Sequence, residues 1–135
     1  SYDLSGRLWT ALVQEISYRR GLDGKIVAKW HNPAGLRERR WLPAHETQDL
    51  ITRSQRFINR LIEDYSHARL SLQPDLSQVG LVYLRRAARF SPQIAAADIS
   101  RYHEIYQPVG ILPPDQYMAV VLQAAEGCSF NTCTF

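Results

Sequence analysis

The sequence predicts a mostly α-helical N-terminal domain joined to the first strand of an α/β domain. Three observations predict it. Apolar residues recur every three or four positions over residues 47–70, the spacing of one helical face. A connector, QPVGILPPD at residues 107–115, carries three prolines and a glycine and breaks the helical pattern. A continuous apolar run, YMAVVLQAA at residues 117–125, then suits a strand buried on both faces, with a short buried helix as the alternative. The expected layout is a helical domain over residues 1–108, with a small hairpin at 25–43, a linker at 109–116, and a strand and loop at 117–135.

Each element has its local reason. Leu8, Leu12 and Ile16 share one face of an expected first helix running from Leu4 to Arg20. GLDG at residues 21–24 is a turn. KIVAKW partly alternates and is rich in β-formers, HNPAG turns, and RERRWLP returns as a partner strand. On the long second helix, Leu50, Ser54, Phe57, Ile58, Leu61, Ile62, Tyr65 and Ala68 line one face. Asp75 caps a third helix through about Phe90. Ser91-Pro92 is a cap and first-turn pair for a fourth, through about Tyr106.

Composition excludes several classes. At 135 residues and 45% hydrophobic the chain can bury a core. No apolar run reaches the roughly 20 residues of a membrane span, so no membrane partner is expected. SYDLSGRLWT lacks the basic-then-apolar order of a secretory signal, and residue 1 is not a methionine, so translation is expected to begin upstream. Two cysteines are too few for a disulfide scaffold, and a cytoplasmic location is expected. The net charge of +3 permits an anionic partner without demanding one.

Both cysteines fall in the final stretch, EGCSFNTCTF. Cys128 and Cys133 follow the apolar run, Gly127 lets the backbone turn, and small polar residues separate the thiols. Taken alone, two close cysteines suit a metal site, a buried apolar pair or a small disulfide loop. GCSFNTCTF resembles the cluster loop of the radical S-adenosylmethionine (SAM) superfamily. Its common form is CxxxCxxC with an aromatic before the third cysteine, and some members run GCSxNxCTFC. The resemblance covers about the last twenty residues, and the third cysteine would be the position after Phe135, so the chain is expected to be cut inside the motif.

The resemblance implies a partial TIM barrel in the parent protein, with 117–135 as its first strand and cluster loop. It makes Cys128 and Cys133 two ligands of a [4Fe–4S] cluster and Phe135 the aromatic beside the SAM adenine. It implies reductive cleavage of SAM to a 5′-deoxyadenosyl radical that attacks a substrate, and an electron donor such as flavodoxin or ferredoxin. The 135-residue chain alone is expected to be inactive.

The competing class is a non-enzymatic helical module that binds nucleic acid or protein, its cysteines incidental. Arg53, Arg56 and Arg60 recur on the second helix, and Arg85, Arg86 and Arg89 cluster on the third. Such stripes can meet phosphates, but solvated faces with ion pairs to Asp49, Glu63 or Asp64 are the simpler account. RERRW, at residues 37–41, adds an aromatic to a basic run and is a better nucleic-acid signal. His31, His45, His67 and His103 have no local metal-binding partner, and GLDGK lacks the spacing of a phosphate loop. Trp9, Trp30 and Trp41 are expected to pack in the core or the hairpin.

Overall fold

The structure, a computed structural model, describes residues 1–73 and 75–106. Its elements run β1 (Thr10–Val13), β2 (Ile16–Arg20), β3 (Ile26–His31), β4 (Arg37–Trp41), α1 (Ala44–Ser66), α2 (Gln78–Arg89) and α3 (Pro92–Ile105). The strands form one antiparallel sheet in sequence order, β1-β2-β3-β4. This overturns the mostly helical domain plus barrel strand. Every strand pairing among the described residues is antiparallel, the geometry of a meander and not of a parallel barrel. The predicted strand at 117–125 lies outside the described residues.

The largest correction is at the N-terminus, where the expected helix over Leu4–Arg20 is the β1-β2 hairpin. Leu8, Leu12 and Ile16 fit a helical spacing, but the turn at residues 14 and 15 puts them in different settings: Leu8 is buried, Leu12 is exposed and Ile16 is half-buried. Ile16, Tyr18 and Arg20 alternate with exposed Ser17 and Arg19, which is a half-buried strand. The turn is Gln14-Glu15, with φ of 48° and 65°. Positive φ at both residues is the mirror-image turn that suits a two-residue hairpin. Asn-Gly is its usual signature, so Gln-Glu hides it.

The later turns are plainer. Gly24 sits at φ 79° in the β2-β3 connection, its Cα pressed against the Ile99 side chain of α3. In the β3-β4 connection Asn32 Oδ1 accepts from the amides of Ala34 and Leu36, an Asx-type turn.

α1, α3 and the Phe90 side chain pack against one face of the sheet, and α2 packs on α1. α2 is capped by Ser77, whose side chain accepts from Gly80 N, and not by Asp75. Ser91 caps α3 by accepting from Ile94 N. The core joins Leu8 and Ile26 to Leu50 and Ile51 of α1, Phe90, and Ala95 of α3, with Tyr2, Ala11, Tyr18 and Leu42 packed against it. Ile26 is 1% exposed, the deepest large side chain of the sheet. Polar ties add to this contact. Tyr2 Oη and Ser54 Oγ are 2.6 Å apart, and Arg40 forks onto Glu46 at 3.0 and 2.6 Å. Burial pushes the Tyr2 phenol up, partly offset by Ser54.

Candidate functional site

Strand alternation sorts the sheet into two faces. Ala11, Tyr18 and Ala28 stand side by side across β1, β2 and β3 on the helix-covered face, with Arg20 and Ile26 paired two residues further along. The opposite face carries Ser17, Lys29 and Arg39 in one row and Thr10, Arg19, Val27 and Trp41 in the next. His31 and Arg37 pair on that same face at the far end.

This outer face holds four exposed cations, Arg19, Lys29, Arg37 and Arg39, and none of its strand residues is acidic. None of the four forms an ion pair among the described residues. Glu15 and Glu38 border the same shallow recess, of about 510 Å³, without reaching ion-pair distance. Two indoles accompany the cations. Trp41 is 65% exposed and Trp9 44%, so the sheet does not pack them away as expected; Trp30 is half-buried. The Arg19 guanidinium lies 6.0 Å from the Trp9 ring centroid.

The helical arginine stripes are partly engaged: Arg56, Arg60, Arg85 and Arg89 are exposed and form no ion pair among the described residues. Arg53 is engaged by Asp49 at 2.9 Å. Arg86 donates to the Leu4 carbonyl and lies over Tyr83. Glu63 and Asp64 are engaged by Arg69, which the sequence pattern did not single out. Arg19 and Lys29 were also missed, because helical periodicity hides Arg19 and Lys29 stands alone in its strand. Strand alternation is the signal that recovers both.

A second cationic feature is internal. Arg20 is only 6% exposed, and its Nε and Nη2 have no hydrogen-bond partner among the described residues. Its guanidinium lies 5.2 Å from the Phe90 ring centroid. Burial pulls its pKa down, offset in part by the charge of Asp98. Asp98 itself is engaged by Arg7, which forks onto it at 2.6 and 3.1 Å and is pushed up by that bond. On the other side of the core, an apolar groove of about 530 Å³ runs between β1 and α1, with exposed Phe57 on its wall. Phe57 therefore leaves the buried face on which its spacing placed it.

Cys128, Cys133 and Phe135 lie outside the described residues, as does the linker at 109–116. Among the described residues no group of three or more His, Cys, Asp or Glu side chains is placed to hold a metal, and no helix is long and apolar enough to cross a membrane. Comparison with protein-family models, curated proteins and solved structures finds no match to this chain.

Proposed function

We propose that this chain is part of an iron–sulfur enzyme of the radical SAM type, working in the cytoplasm with an electron donor such as flavodoxin or ferredoxin. One observation carries the reading: the GCSFNTCTF stretch, whose two thiols, leading glycine and closing aromatic stand in the order of a cluster loop. Cys128 and Cys133 supply soft thiolate donors of the kind that hold iron–sulfur clusters. They are two of the three ligands the motif uses. Phe135 offers an apolar face to the adenine of SAM. The bound cluster would supply the electron that splits the SAM sulfonium. The sheet-and-helix domain before it is an accessory module for a substrate or partner.

The first test is the codon after Phe135. Cysteine there completes the donor set, and any other residue overturns the reading. Anaerobic reconstitution of the protein encoded through that codon and beyond should then give a brown species absorbing near ~400 nm. It should release methionine and 5′-deoxyadenosine from SAM under reduction. Cys128→Ser and Cys133→Ser should each abolish the colour, and a colourless wild-type protein sinks the proposal. The 135-residue chain itself should not cleave SAM.

A further inference from the structure

We propose that the outer face of the sheet binds single-stranded nucleic acid, with phosphates on Arg19, Lys29, Arg37 and Arg39 and a base stacked on Trp41. The proposal rests on the sheet alone and stands apart from the cysteine motif.

The charge on this face is arranged against stability. Lys29 stands directly opposite Arg39 in the β3-β4 register. Like charges facing each other across a strand pair destabilise it. Arg7, Arg40, Arg53 and Arg69 are answered by Asp98, Glu46, Asp49 and Asp64, while Arg56, Arg60, Arg85 and Arg89 on the helices also lack an ion pair among the described residues; what sets the outer face apart is a cation held directly opposite another by the strand register. No acidic side chain answers that pair among the described residues. A ligand with a row of negative charges relieves this repulsion, and a phosphodiester backbone is such a ligand.

The aromatics choose between polyanions. Trp41 lies next to Val27, which separates it from Arg19 in the same row, and two residues along β4 from Arg39. An indole exposed beside a line of cations is the arrangement on which unpaired bases stack while their phosphates meet the charges. A duplex keeps its base faces stacked on one another and cannot use Trp41. An acidic peptide has charge but few flat rings. The recess around Lys29, Arg37 and Arg39 is open to solvent and reachable by an extended chain.

The test is fluorescence anisotropy of the full 135-residue chain with labelled oligo-U and oligo-dT of about 12 nucleotides, a length within single-strand site sizes. Binding should weaken with salt, with a log–log slope of about −3 if four phosphates are neutralised. Trp41→Ala should lower affinity roughly tenfold, and Trp41→Phe should recover most of it. Lys29→Glu should lower affinity at least roughly tenfold, since it loses one phosphate contact and adds a repulsive charge. The same change places an opposite charge against Arg39, so its melting temperature should hold or rise, which separates lost binding from lost folding. Arg60→Glu on α1 should leave affinity nearly unchanged. Preference for oligo-U over oligo-dT assigns RNA, and equal affinity assigns a sugar-blind site; both support the proposal. Three results overturn it: no binding at low salt, affinity indifferent to Trp41→Ala, or duplex, heparin or poly-glutamate binding as tightly as the single strands.

Discussion

The two faces of the sheet are made from the same strands and obey opposite rules. On the helix side, Ile26 is buried against Leu50, Ile51 and Phe90, Ala28 is buried as well, and the polar groups there are mostly tied in pairs. On the open side, Lys29 faces Arg39 and an indole is left in solvent. β2 alternates between these regimes at every residue, so Arg19 is displayed while Arg20 is buried. Apolar burial can account for the inner face. It cannot account for the outer one, which has no evident contribution to folding.

Substitutions can break or sharpen this contrast. The largest expected effect is Ile26→Ala, which opens a cavity beneath the helices and should cost about 3 kcal/mol in denaturant unfolding. An equal truncation outside, Val27→Ala, should cost well under half of that; equal losses would mean that both faces carry the fold. Gly24→Ala should cost about 2 kcal/mol, because φ 79° is strained for alanine and its Cβ would strike Ile99. A normal melting temperature for that variant would mean that α3 is not seated on the β2-β3 connection.

Arg20→Met is the sharper probe. If Arg20 is merely a buried charge without hydrogen bonds, methionine should be neutral or stabilise by up to about 1 kcal/mol. A loss of more than about 2 kcal/mol would show that the guanidinium has a partner in the folded protein.

The smallest effect is a pH dependence at the Arg40–Glu46 link between β4 and α1. The hydrogen bond from Arg40 holds the Glu46 carboxyl below its ordinary value of 4.5. A depressed carboxylate stabilises the fold above its unfolded pKa, and that contribution fades as pH falls through the folded value. The melting temperatures of wild type and Glu46→Gln should therefore differ near neutrality and converge as pH falls below 4.5 and through the folded value. Lack of convergence would place the effect of the substitution outside this ion pair.

The sequence disclosed the helices better than the sheet. Ser91-Pro92 and the long apolar face of α1 announce themselves through caps and three-to-four spacing. Asn32 and Gly35 likewise mark the turn between β3 and β4. The first hairpin stayed hidden because Gln14-Glu15 adopts positive φ without the residues that usually do so. Taken as a helix, this segment removes two of the four strands from the sheet and leaves Arg19 without its neighbours. RERRW was visible as a basic run with an aromatic, but its meaning needed the register. Only pairing shows that Arg39 meets Lys29, and that Arg40, one residue on, turns to the other side to meet Glu46.

β4 is also the last strand of the sheet among the described residues, and all five of its residues are exposed. An open edge offers unpaired amides and carbonyls to any other extended chain, a route to edge-to-edge aggregation. Arg37, Glu38, Arg39 and Arg40 put charge at every position along that edge but the last. The same arginines therefore guard against self-assembly. A variant stripped of all of them at once is expected to trade its charge for strand addition between molecules, precipitating at concentrations where the parent stays dispersed.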